Sequence, residues 1–190
     1  MNIPALKSIF TDSNQVKAIV NNLQNNSLSQ LYLKGLVGSS VAFVGNAIFH
    51  KFPLTQLFIL NDKEDAAYLL NDLESIVGEE QVLFFPASYK RAYQIEETDN
   101  ANVLLRAEVL NTLANPTTSR IIVSYSDAIS EKVVTKKNLE KNTLKIGVGE
   151  EYSIEFINEV LYEYGFERED FVIEPGQFSV RGGIVDVFSF

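Results

Sequence analysis

The chain has 190 residues, with 46% hydrophobic and 11% aromatic side chains and a net charge of −9. That length holds one domain or two small ones with a real core, and the apolar content is that of a soluble globular protein. The acidic balance, with a pI near 4.7, argues against broad affinity for DNA or RNA, which depends on clustered Lys and Arg releasing counterions.

Cysteine is absent, which excludes disulfides, thiolate metal sites and cysteine nucleophiles. The single histidine, His50, is expected as a solvent-facing residue at a helix C-terminus, where cations are favoured. The N-terminus has no basic segment followed by an apolar core, so it does not read as a signal peptide. No apolar run approaches the ~18 residues needed to cross a membrane. A cytoplasmic location and no membrane partner are the resulting expectations.

In chain order, Pro4 and Asp12/Ser13 mark helix starts, and Val16, Ile19, Val20 and Leu23 follow at helical spacing until Asn25-Asn26-Ser27. Gln30 to Lys34 reads as a short strand leading into Gly35-Leu36-Val37-Gly38-Ser39-Ser40-Val41-Ala42. A working phosphate loop runs strand, glycine-rich turn, helix as G-x-x-x-x-G-K-[ST], its lysine reaching the outer phosphates and its last hydroxyl holding magnesium. Gly35 and Gly38 keep the turn, but Ser40 replaces the second glycine, Val41 the lysine and Ala42 the hydroxyl residue. Residues Gly35, Gly38, Ser39, Ser40, Val41 and Ala42 are therefore read as a degenerate phosphate loop that does not bind nucleotide. Glycine-rich strand-to-helix turns also occur in α/β folds without that ancestry.

A helix over Ser39 to His50 is expected next, then a strand at Gln56 to Leu60 after Pro53. Ala66, Leu69, Leu70, Leu73, Ile76 and Val77 share one helical face, with Gly78 just past its end. Val82 to Phe85 is apolar throughout, as in a strand covered on both faces. The order predicts a parallel sheet with right-handed crossovers and helices on both faces, with the glycine turn at a strand's carboxyl end. From Pro86 to Asn100 the chain is irregular and rich in Tyr89, Tyr93, Glu96, Glu97 and Asp99, read as solvated rather than catalytic. A helix with Leu104, Ala107, Leu110 and Ala114 inward stops before Pro116, and Arg120 to Ser124 is a fourth strand.

After Ser126 the chain turns basic, with Lys132, Lys136, Lys137, Lys141 and Lys145. No aromatics interleave with these lysines, so a solvated connector is favoured over a nucleic-acid patch. Thr143 to Val148 is expected as a strand, and Ser153 caps a helix carrying Ile154, Ile157, Val160, Leu161 and Tyr164. Phe171-Val172-Ile173 follows as a strand. Two alternating segments then meet at Gly182-Gly183 as a hairpin or bulge. The chain stops at Phe190 just after a strand, as expected of a cut within a longer protein.

The run Gly176-Gln177-Phe178-Ser179-Val180-Arg181-Gly182-Gly183-Ile184-Val185-Asp186-Val187-Phe188 closely resembles a signature shared by UvrB and the N-terminal region of Mfd, the transcription-repair coupling factor. The earlier elements fall in that family's order from about residue 30. True UvrB needs a working phosphate loop, with which Val41 and Ala42 are incompatible, and a long aromatic hairpin where only Tyr89 to Asn100 stands. The resemblance is therefore to the UvrB-like region of the coupling factors.

It implies a degenerate RecA-like domain over 1–125, and a smaller α/β unit like UvrB domain 2 over 126–190, truncated at its end. It implies a non-catalytic adaptor that recruits UvrA in nucleotide excision repair and packs against the C-terminal domain in the resting protein. RNA polymerase, DNA, ATP and magnesium would be handled by other domains, with no cofactor here. Arg181 matches the family's UvrA-contacting arginine, and Gln177, Ser179, Gly182 and Gly183 accompany it. Strand alternation places Gln177, Ser179 and Arg181 on one face and Phe178 and Val180 on the core side. Two other readings remain open: a P-loop ATPase or UvrB-type helicase fragment with a divergent site, and a domain that only restrains its own translocase.

Overall fold

The computed structural model describes residues 2–25, 30–89, 99–135, 137–138 and 143–189. Tyr93, Glu96, Glu97, Lys136 and Lys141 lie outside the described residues. The chain separates into two compact units, one of residues 1–86 with 115–130, the other of 87–114 with 131–190.

The first unit begins with helices α1 (Ile3–Asp12) and α2 (Asn14–Asn25). The Asn2 side chain accepts from Ala5 N–H, and Ser13 Oγ from Val16 N–H, so each helix starts on a polar cap. Val16 and Val20 of α2 pack with Ala47 of α3 (Ser40–Lys51), and Phe10 stacks on Phe43 at 5.1 Å between ring centroids.

The sheet is parallel, in the order β1 (Gln56–Leu60), β3 (Ile121–Tyr125), β2 (Val82–Phe85). Every residue of β3 is buried, which its apolar run requires. The buried hydroxyl of Ser124 is satisfied, its Oγ donating to Phe85 O at 2.7 Å. Helix α4 (Lys63–Val77) contacts all three strands and turns Ala66, Leu69, Leu73 and Ile76 inward, as its periodicity predicts. Asp62 caps it at Asp65 N–H, and Gly78, at φ +113°, ends it. The short helix α6 (Ser126–Ser130) follows β3.

Three expectations for this unit are corrected. Gln30 to Lys34 forms no strand, and Leu31, Tyr32 and Leu33 stand exposed without a ladder partner. The glycine turn therefore precedes α3 without sitting at the end of a sheet strand. The helix cover is also incomplete over β1: α3 closes on its Phe58 side, while Leu57 and Ile59 on the other side stay exposed.

In the second unit, α5 (Asn100–Ala114) starts at Asp99, whose Oδ1 accepts from Ala101 and Asn102 N–H. Its buried residues are Arg106, Val109 and Ala114, whereas Leu104, Ala107 and Leu110, expected inward, are half-buried. Arg106 meets Glu131 at 3.5 Å, and Glu131 Oε2 also accepts from Ser88 N–H at 2.8 Å. Thr143 to Val148 forms no strand. A turn follows, in which Glu150 accepts from Gly147 N–H and the Tyr152 hydroxyl, and both bonds hold its carboxyl below its ordinary pKa.

Helix α7 (Ile154–Glu163) is capped by Ser153 Oγ on Phe156 N–H, as the sequence predicts. It packs Ile157 and Leu161 with Phe166 and Phe178. The second sheet runs β4 (Glu167–Arg168), β5 (Gln177–Arg181), β6 (Ile184–Phe188), parallel then antiparallel. Gly182-Gly183 makes a two-residue hairpin closed by Arg181 and Ile184, not a bulge. Only Gly182 has positive φ, +63°, which fits a type II′ turn with glycine first. Gly182→Val is expected to cost about 1–2 kcal/mol through that strain alone, since a Cβ there meets open space. Urea unfolding midpoints, with Gly183→Ala as the unstrained control, measure it.

Candidate partner-binding face

The face with the most sequence-predicted chemistry is the outer side of the β5–β6 hairpin. Alternation sends Phe178, fully buried, to the core. On the other side the pairs Gln177 with Phe188, Ser179 with Asp186 and Arg181 with Ile184 lie across from one another.

These positions differ sharply in access. Arg181 is exposed, with 58% of its side chain open to solvent, and Nη2 donates to Asp186 Oδ2. Asp186 is half-buried and diagonal to it across the ladder, the geometry in which opposite charges on a hairpin pair. Gly182 and Gly183 shape the adjoining turn and are exposed. Ser179, in contrast, is only 2% exposed. Its Oγ donates to Asp170 O at 3.1 Å, while Gln177 Oε1 accepts from Ile173 and Glu174 N–H at 2.9 Å each. The segment after β4 thus lies over two of the three outward positions, and alternation alone does not foresee it.

That segment replaces the strand expected at Phe171 to Ile173. Its backbone is tied to β5 and β6 by Glu169 N–H to Phe178 O and Gly176 N–H to Phe188 O. Phe171 and Ile173 face solvent, 71% and 75% exposed. A cleft of about 740 Å³ opens beside Phe171, its lining including Tyr162, Arg168, Asp170, Ser179, Val180 and Arg181. Asp186, Phe171 and Ile173 are members of this face that sequence reasoning did not assign. Asp186 was visible in the motif two residues before Phe188, but the two apolar side chains carried only a buried-strand signal.

The stretch read as a degenerate phosphate loop lies in the first unit. Gly35 and Gly38 have φ of +88° and +54°, the left-handed values expected of such a turn. Val37 N–H donates to Ser40 Oγ at 2.7 Å, so the serine in place of the second glycine engages a loop amide internally. Ser39 is the N-cap of α3 and makes no side-chain cap bond. Val41 is half-buried and Ala42 fully buried, so both act as packing residues. His50 is exposed in the last turn of α3, as expected. Among the described residues no helix is long and apolar enough to cross a membrane.

Residues 144–190, which include the hairpin and helix α7, match the UvrB interaction domain. Across nearly its whole length the chain is similar to the transcription-repair-coupling factor of Bacillus subtilis (strain 168), 27% identical over 183 residues. That alignment covers 96% of this chain and 15% of the relative. UvrABC system protein B of Ureaplasma parvum serovar 3 is 31% identical over 192 residues, 92% of this chain and 28% of that protein. The coupling factor of Rickettsia typhi is 27% identical over 136 residues, 70% of this chain and 12% of the relative. The chain thus spans under a third of these relatives. The resemblance to the coupling factors read from the Gly176 to Phe188 motif is borne out, and UvrB is similar to the chain as well.

Proposed function

We propose that this chain is a non-catalytic, UvrA-binding region of a transcription-repair coupling factor acting in nucleotide excision repair. In this reading residues 1–125 are a degenerate RecA-like layer, and residues 126–190 are a unit like UvrB domain 2 that carries the partner surface. The observation that carries it is an exposed arginine, Arg181, on a hairpin within the stretch that matches the UvrB interaction domain. Arginine suits an interface anchor because its planar fork makes two parallel bonds to a carboxylate.

The remainder of the reading follows the family. The region restrains the full-length protein by packing on its C-terminal domain. RNA polymerase and DNA engage other domains, and ATP and magnesium serve a translocase elsewhere in a cytoplasmic protein. Val41 and Ala42 support the non-catalytic assignment, since neither side chain can contact a phosphate oxygen or magnesium.

Calorimetric titration of the chain with UvrA tests the proposal. Binding is expected, and Arg181→Ala should weaken it by about 1–3 kcal/mol. ATP titrated alone should give no heat. Saturable ATP binding without UvrA binding would overturn the adaptor and favour a UvrB-type ATPase with a divergent site.

A further inference from the structure

Exposed large apolar side chains are ordinary when scattered singly, but two on one short, tightly bonded segment call for an account. Phe171 and Ile173 sit on a stretch with no regular structure, yet its backbone is fixed at both ends and in the middle. Glu169 N–H bonds to Phe178 O, the Ser179 hydroxyl holds Asp170 O, and Gln177 Oε1 holds both Ile173 and Glu174 N–H. Two polar side chains of β5 are thereby spent on holding the segment in place. A segment free to relax would turn a phenylalanine and an isoleucine toward the core. This one is held with both of them outward.

The position is as informative as the exposure. Phe171 lines the same cleft as Arg181. Ile173 is bonded through its N–H to Gln177, which shares Arg181's side of β5 and lies across from Phe188. Ile184, across from Arg181, is 62% exposed, and Phe188 is 38% exposed. The outer side of the hairpin therefore carries the charged pair Arg181 with Asp186, with Phe171 and Ile184 at the arginine's end of β5 and Ile173 and Phe188 at the Gln177 end. Interfaces that bind strongly have this composition, an arginine desolvated among aromatic and aliphatic neighbours that exclude water.

We infer that Phe171 and Ile173 form the apolar half of the UvrA-binding face, held there by Gln177 and Ser179, which act on the loop and not on the partner. The inference rests on the UvrA reading and assigns residues to it. The partner surface it fits has an acidic group opposite Arg181 and apolar sockets beside it. Desolvation by the flanking side chains strengthens the arginine's bond to that acid.

The test is titration of UvrA with the chain and with Phe171→Ser, Ile173→Ser and the double variant, beside Tyr68→Ser on α4. Tyr68 is 76% exposed in the first unit and serves as the control for loss of surface apolarity alone. The double variant should bind at least about tenfold more weakly than the unaltered chain, with its thermal unfolding midpoint unchanged, and Tyr68→Ser should bind normally. Unaltered affinity in the double variant, while Arg181→Ala still weakens binding, overturns the inference alone. Equal weakening by Tyr68→Ser also overturns it. No UvrA binding by the unaltered chain removes the UvrA reading and this inference with it.

Discussion

Glu131→Ala should lower the stability of the chain by about 3–5 kcal/mol, the range for removing one partner of a buried ion pair. Both side chains of the Arg106–Glu131 pair are largely withdrawn from water, at 7% and 11% exposure. The substitution removes the carboxylate that meets the guanidinium at 3.5 Å and leaves Ser88 N–H without the Oε2 that accepts from it. Against a typical total of about 5–15 kcal/mol, that is a large share. The loss should barely respond to salt, since buried pairs are screened far less than surface ones. Glu131→Gln should recover part of it by keeping an oxygen for Ser88 N–H. Urea unfolding at low and high ionic strength checks all three statements. A loss below about 1 kcal/mol, or one that vanishes in high salt, would show that the pair is effectively solvated.

The same pair marks where sequence reading stops. Helix α5 was legible as a helix, but of the inward face read as Leu104, Ala107, Leu110 and Ala114 only Ala114 is fully buried. Arg106 has no local signal for burial; the carboxylate of Glu131, which meets it inside, arrives only after another strand and helix. By contrast, the inward face and C-terminus of α4 were legible, since the apolar period and Gly78 are both local, while its Asp62 cap emerges only in the structure. β3 was legible as a strand over Arg120 to Ser124, and the structure shifts it by one residue to Ile121–Tyr125.

Strands that depend on a neighbour were the failures. Gln30 to Lys34, Thr143 to Val148 and Phe171 to Ile173 all have acceptable strand composition, and none finds a ladder partner in the structure. Composition reports that a segment can lie in a sheet; pairing decides whether it does. The hairpin face shows the same division. The exposure of Arg181 and burial of Phe178 follow from alternation along one strand. The burial of Ser179 and the display of Phe171 follow from a segment folded back over that strand, bonded through side chains whose partners no periodicity announces.

Phe178→Ala should cost about 3–5 kcal/mol, the range for emptying a large aromatic site in a core that cannot collapse around it. Phe178 is fully buried among Ile157, Leu161 and Phe166, with the Tyr162 ring meeting it edge-on at 5.3 Å between centroids. That aromatic pair accounts for about 0.5–1.5 kcal/mol of the loss. Phe178→Leu, which keeps most of the volume, should lose less than half as much. The position also links stability to binding. Phe178 fixes β5 on the core, and its neighbours Gln177 and Ser179 hold the segment that presents Phe171 and Ile173. Phe178→Ala should therefore weaken UvrA binding at temperatures where the chain is still mostly folded, beyond what the folded fraction explains. Measuring unfolding and UvrA affinity side by side at low temperature decides it. Affinity that tracks the folded fraction alone would mean that the hairpin keeps its outer face without the core beneath it.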